Sequence, residues 1–222
     1  MMRGFNWHPH RRKAFRDAAA NWWEAGGATG AVGVYQPKGA ASLAASYVNL
    51  ANPGTNDAAP GVAPTWASGT GWSFNGSTQY LTTGLVPASG YSMICQYDGL
   101  SGASIEVLCG IASTVDDARF WIMPRHTADL HIWGYGDAIN TTATRSASGV
   151  MALAGTNGYL DGVLDGPAGT WNSTVLDIYI GGNNSDTGIL NTIGGNISAL
   201  AVYNTTLTGP QVAAITTAMQ AL

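Results

Sequence analysis

Short apolar runs, each closed by a turn, recur along most of this chain. They predict strands near residues 31–35, 72–75, 79–83, 91–98, 105–112, 118–124, 129–134, 149–154, 157–161, 174–180 and 196–204. Val, Thr, Ile, Tyr and Trp are plentiful in the chain, which favours strands. The punctuation between them is turn chemistry: Asn75-Gly76, Asp98-Gly99, Asn157-Gly158, Asp161-Gly162, Asp165-Gly166-Pro167 and Gly181-Gly182-Asn183. Asn-Gly and Asp-Gly pairs tolerate the positive φ that tight hairpins require. Residues 36–71 read as irregular, with an extended loop near Asn56–Pro64 set by Pro60 and Pro64.

The period changes at both ends. Phe15, Ala18, Ala19 and Trp22 recur at i, i+3, i+4, i+7, which is one face of a helix opened by Pro9 and stopped by Gly26-Gly27. Residues 1–27 therefore read as an amphipathic arm, and residues 28–222 as the main domain. At the other end Thr208 is a cap, Pro210 fits a first helical turn, and Val212, Ile215 and Met219 line one face.

Four fragments in order carry a family likeness: Phe74-Asn75-Gly76-Ser77-Thr78-Gln79-Tyr80-Leu81, Tyr159-Leu160-Asp161-Gly162-Val163, Ile180-Gly181-Gly182-Asn183 and Gly195–Asn204. Together they resemble the concanavalin A-like lectin/glucanase superfamily in its laminin-G-like form, over about residues 30–222. The resemblance implies an all-β protein: an antiparallel β-sandwich jelly roll with an N-terminal helical arm and a short C-terminal helix. It implies no single activity, because one fold hosts many functions.

Composition agrees with the strands. There are 30 glycines, charged residues make up 10%, and the chain has two lysines, Lys13 and Lys38, and two glutamates, Glu24 and Glu106. Charge is unevenly placed. Arg3, Arg11, Arg12, Lys13 and Arg16 fall within the first 16 residues, while residues 17–222 carry a balance of −9. A basic arm on an acidic body predicts docking to an acidic partner surface. No signal peptide is evident, and no segment is apolar enough to span a bilayer. Cys95 and Cys109 lie on successive predicted strands, where either a cross-strand pair or two buried thiols fits.

Candidate chemistry is sparse. Glycoside hydrolysis needs two carboxyls about 5–9.5 Å apart. The superfamily's hydrolases set them at alternate positions of one strand, whereas the two glutamates here stand 82 positions apart, neither with an acidic residue two away. The sequence is therefore expected not to be an enzyme. A sugar stacks its C–H face on an aromatic ring. Trp121, Trp133 and Tyr135, with His131 beside them, form the candidate carbohydrate-binding stripe. The competing reading puts the two tryptophans in the core. Asp116, Asp117 and Asp137 are the candidate metal ligands; no cofactor is required, and Ca²⁺ is the ion they would suit. Arg11, Arg12, Lys13, Phe15, Arg16, Trp22 and Trp23 form the candidate docking arm. Nucleic acid is not the expected partner, since no nucleic-acid recognition fold is evident.

These readings converge on a structural surface protein of a larger assembly, of the phage virion kind (capsid decoration or tail-associated). Its expected partners are subunits of that assembly, and surface glycans besides. The expected location is a virion surface or the extracellular space. The alternative is a carbohydrate-binding module or adhesin, and a glycoside hydrolase is a distant third.

Overall fold

The structure, a computed structural model, describes residues 21–100, 105–126, 130–136, 138–144, 146–167 and 169–222, with the backbone alone for 138–143. The part of the arm before Asn21, with Arg11, Arg12, Lys13, Phe15 and Arg16, lies outside the described residues, as does Asp137. Trp22 does not extend an α-helix. It starts a 3₁₀ turn, Trp22–Gly27, kinked at Ala25 and Gly26.

The strands follow in chain order: β1 (Ala31–Tyr35), β2 (Ala59–Val62), β3 (Thr65–Ala67), β4 (Gly71–Asn75), β5 (Tyr80–Thr82), β6 (Ser92–Asp98), β7 (Cys109–Ser113), β8 (Ala118–Met123) and β9 (Leu130–Tyr135). Then come β10 (Ala138–Ala143), β11 (Gly149–Ala154), β12 (Asn157–Leu160), β13 (Val163–Pro167), β14 (Tyr179–Ile180), β15 (Asn183–Ser185), β16 (Gly188–Leu190) and β17 (Gly194–Tyr203). A helical turn, α1 (Leu43–Ser46), interrupts the early loop, and α2 (Gly209–Gln220) closes the chain.

The strands form two sheets. The first has the order β13-β12-β11-β6-β17-β4-β3, with β1 also on β17; the second runs β10-β9-β8-β7-β14-β5-β2, with β15 and β16 attached. Pairing is antiparallel except for β15, which runs parallel to β7. This is the expected all-β sandwich. Its main core lies between the sheets and holds Trp72, Tyr97, Phe120, Ile122, Trp133 and Leu200.

The central strands of the first sheet are apolar on both sides because both sides are covered. Met93, Cys95, Met151, Leu153 and Val202 face the core. The intervening Ile94, Val150, Ala152, Ala154, Ala199 and Ala201 face outward beneath Val212, Ile215 and Met219 of α2, with Trp22 in the same cluster. Four alanines on that face let the helix approach closely. The α2 anchors follow the predicted helical face, and burying each stabilises by roughly 1.5–3 kcal/mol. A capping box starts α2: Thr208 Oγ1 accepts from Gln211 N, the Gln211 side chain returns to Thr208 N, and proline stands in the first turn.

Several predicted turns and strands shift. Asn157-Gly158 is inside β12, and the turn is at Gly155-Thr156. Gly158 is there for packing, since a Cβ would come within 2.4 Å of the Trp133 indole. Asp165-Gly166-Pro167 is strand β13. The run 174–180 is strand only at Tyr179–Ile180, and in 105–112 the strand begins at Cys109. Cys95 and Cys109 sit on opposite sheets as buried free thiols. Burial, and then the Cys109 thiol beside it, push the Cys95 thiol up.

Candidate functional site

Three members of the expected sugar-binding stripe are interior. Trp133 and Tyr135 belong to the main core. His131 is buried edge-on against Trp133 at 4.8 Å. Its Nδ1 meets the Thr144 carbonyl oxygen at 2.5 Å, and its Nε2 meets the Asp165 carboxylate. A ring enclosed on both faces has none to offer a sugar. The reason is parity: β9 turns residues 131, 133 and 135 toward the first sheet.

Trp121 lies on the other side of β8, on the outer face of the second sheet, packed with Val107, Met123 and Ile132. It is 5% exposed. Gly134 is its seat, for a Cβ there would fall 2.5 Å from the indole. Asp116 and Asp117 occupy the exposed β7–β8 turn, where Asp117 pairs with Arg119 at 2.9 Å. Among the described residues no three metal-ligating side chains gather.

Beside Trp121 lie residues with no sequence signal for a site. Register places Thr82, Tyr179, Gly110, Trp121 and Gly134 in one row across β5, β14, β7, β8 and β9. Leu81 and Ile180 point into the core, so Tyr80, Thr82 and Tyr179 point outward. Tyr80 and Tyr179 stack diagonally, with centroids 5.0 Å apart and planes 25° apart. Both are half-buried. Gly61 lies against one face of Tyr80, and Tyr179 covers the other. Next along the row from Tyr179 is Gly110, which has no side chain, and then Trp121.

Polar groups border this row. The Asp177 carboxylate accepts from Gly84 N at 2.9 Å and from Asn184 Nδ2 at 3.0 Å. Burial, then the Asp177 charge and Tyr80, raise the Tyr179 phenol above its ordinary value. No described helix covers this face, whereas α2 and the 3₁₀ turn close the outer face of the first sheet. Tyr-Leu-Thr alternation marks residue 80 as outward in the sequence. Its neighbour Tyr179 comes from a strand two residues long, with no periodicity to read.

The rim of this face is held by Asp186. Its carboxylate accepts from Thr114 N at 2.7 Å, Ser113 Oγ at 2.9 Å, Thr114 Oγ1 at 3.1 Å and Val115 N at 3.2 Å, joining the β15–β16 hairpin to the β7–β8 turn. The Thr114 N–H foremost, with the Ser113 hydroxyl and the Val115 N–H, holds the carboxyl below its usual range against the opposing push of burial. A carboxyl lowered on folding stabilises the fold above its unfolded value, about 3.9. That contribution is lost as pH falls through the lower folded value. Asp186→Ala is therefore expected to be less stable than the parent near neutral pH, with the gap closing in acid; urea melts at several pH values check this. A gap that widens in acid would refute it.

No family model matches the sequence, and no curated protein matches it. Solved structures do. Trypanosoma rangeli sialidase aligns over 84% of this chain at 16% identity with a TM-score of 0.56, and a mutant of it displaying trans-sialidase activity aligns to the same extent. The match occupies 32% of the sialidase, so this chain spans about a third of the sialidase chains it matches. Domain 4 of AbnA, a GH43 extracellular arabinanase from Geobacillus stearothermophilus solved in complex with arabinotriose, aligns over 84% of this chain and 98% of its own at 14% identity, TM-score 0.53. At these identities the likeness is one of fold. It corrects the expectation that the chain is not an enzyme, since the neighbours are sialidases and a piece of a glycoside hydrolase. The spacing of Glu24 and Glu106 lacks one active-site pattern, which is narrower than lacking any activity. The comparisons give no support to a virion role. The chain shares the β-sandwich fold of carbohydrate-active domains.

Proposed function

We propose that this chain is a carbohydrate-binding β-sandwich of the concanavalin A-like, laminin-G-like kind, serving a glycan-processing enzyme. Its sugar-binding surface is the outer face of the second sheet. The observation that carries this is the outward row of Tyr80, Tyr179 and Trp121 on the sheet face that no described helix covers. Tyr80 is held between Gly61 and Tyr179, which leaves Tyr179 as the platform. A sugar ring stacking on Tyr179 sits above Gly110, where no Cβ obstructs it. The Asp177 carboxylate, fixed by Gly84 and Asn184, accepts hydroxyl protons at its edge. The likeness to an arabinanase domain solved with arabinotriose supports the ligand class. An extracellular location goes with this reading, as for the extracellular arabinanase whose domain it is similar to.

Isothermal titration with arabinotriose and other neutral oligosaccharides is the test. Tyr179→Ala is expected to weaken binding at least tenfold, about 1.4 kcal/mol. Val175→Ala, at a site 84% exposed on the adjoining loop, is expected to leave it unchanged. Parental affinity in Tyr179→Ala would remove this face from the site.

A further inference from the structure

The proposed sheet-face site leaves unused a cavity on the opposite side of the molecule. It encloses about 430 Å³ and is lined by Trp23, Glu24, Thr29 and Ala51, with the backbone of residues 27–31. That volume falls within the range of roughly 300–1,000 Å³ common to small-molecule sites.

The cavity wall is rigid. The 3₁₀ turn and the segment after it have four carbonyls held from β17, α2 and the loop between them. Tyr203 Oη donates to Trp23 O at 2.7 Å, and Gln211 Nε2 donates to Gly27 O at 3.3 Å. Thr205 Oγ1 donates to Thr29 O at 3.1 Å, and Asn204 N donates to Gly30 O at 2.8 Å. Trp22 anchors the turn in the core, with its indole N–H on Gln36 Oε1 at 3.0 Å. Trp23 stands edge-on to it, with ring centroids 5.6 Å apart and planes at 89°. Trp23 is half-buried and lines the cavity. A wall fixed in this way needs no ordering when a ligand arrives, which removes a usual cost of binding.

The groups offered are an indole ring, a carboxylate and a hydroxyl. Glu24 is exposed, and Asn21 Nδ2 holds its Oε2 at 3.1 Å. A carboxylate accepts from two hydroxyls and repels anions. We infer that this cavity is a second carbohydrate site, selective for uncharged sugars, in which Trp23 stacks on the sugar's C–H face and Glu24 and Thr29 bind its hydroxyls. The negative balance of residues 17–222 strengthens the exclusion of sialic and uronic acids. The site shares its ligand class with the sheet face and none of its residues.

The test follows the Trp23 indole N–H by nuclear magnetic resonance in the full chain, assigned by its loss in Trp23→Phe. Arabinotriose, cellotriose, maltotriose and 3′-sialyllactose are added to about 10 mM, ten times a millimolar Kd. At least one neutral trisaccharide is expected to move the signal to saturation, equally in the parent and in Tyr179→Ala. Glu24→Gln, at an exposed position that leaves folding intact, is expected to weaken that response at least fivefold, and 3′-sialyllactose is expected to leave the signal in place. An unmoved signal with all three neutral sugars overturns the inference. So does a response lost in Tyr179→Ala, unchanged in Glu24→Gln, or equal for 3′-sialyllactose. Binding that depends on Tyr179 while Trp23 stays silent would leave the sheet-face reading standing alone. The reverse pattern would sink the sheet face and keep this cavity.

Discussion

Replacing Glu106 with alanine is expected to cost about 3–5 kcal/mol of stability, the usual loss when one half of a buried ion pair is removed. Glu106 and Arg125 face each other across an isolated bridge between the segments flanking β7 and β8. Their side chains are 2% and 10% exposed, with Arg125 Nε and Glu106 Oε2 3.2 Å apart. The N–H axis points off that oxygen, so the contact is an ion pair rather than an aligned hydrogen bond. Each partner has a second tie: Arg125 Nη1 donates to Leu100 O at 2.6 Å, and Glu106 Oε1 accepts from Gly194 N at 2.9 Å. Deleting the carboxylate strands a guanidinium in the interior and leaves the β17 entry unpaired. For a domain of this size the loss corresponds to roughly 10 °C in Tm. The double variant Glu106→Met/Arg125→Met removes both charges and is expected to be more stable than the single one. Calorimetry of parent, single and double variants decides this. A single variant within about 1 kcal/mol of the parent would show that the pair carries no buried charge.

Asn49→Ala is expected to cost about 4 kcal/mol, because one side chain satisfies four buried or half-buried backbone groups. Asn49 Oδ1 accepts from Val34 N at 2.9 Å and from Ala51 N at 3.1 Å, while Nδ2 donates to Val32 O at 2.9 Å and to Thr55 O at 2.8 Å. These bonds fasten the irregular stretch after α1 to the β1 edge. Asp57 backs them by accepting from Asn49 N at 2.8 Å. Asn49→Asp keeps the shape but sets a carboxylate oxygen against the Val32 and Thr55 carbonyls, so it is expected to be no more stable than Asn49→Ala. Denaturant melts measure both, and a loss below about 1 kcal/mol in Asn49→Ala would mean that water replaces the side chain without penalty.

The strands were legible where sequence periodicity is long. The runs at β6, β8, β11 and β17 lie close to their expected places, and α2 keeps its cap, its proline and its three anchors. Even the double coverage of the first sheet can be read, since Val150–Ala154 carries no polar residue at all. Short partners were not legible. β14, β15 and β16 are two or three residues long and exist because longer neighbours offer them hydrogen bonds. The Asn157-Gly158 turn signal was outweighed by the Trp133 ring that needs a glycine beneath it. Glu24 and Glu106 look alike in sequence, yet one is exposed beside a cavity and the other is sealed against Arg125.

The sugar-binding stripe shows the same division. Alternation along β9 put His131, Trp133 and Tyr135 together on one face, and the structure keeps them together. Alternation is blind to which face closes, so the core took them. Trp121 escaped to the outer face because β8 places it at the opposite parity. What the sequence by itself determined was which residues share a side of each strand, since that follows from the two-residue repeat of an extended backbone. Which side is inside, and that Tyr80, Tyr179 and Trp121 share the outer one, was decided only when strands distant along the chain paired and α2 covered the first sheet, because burial is a property of the assembled layers and not of any strand alone.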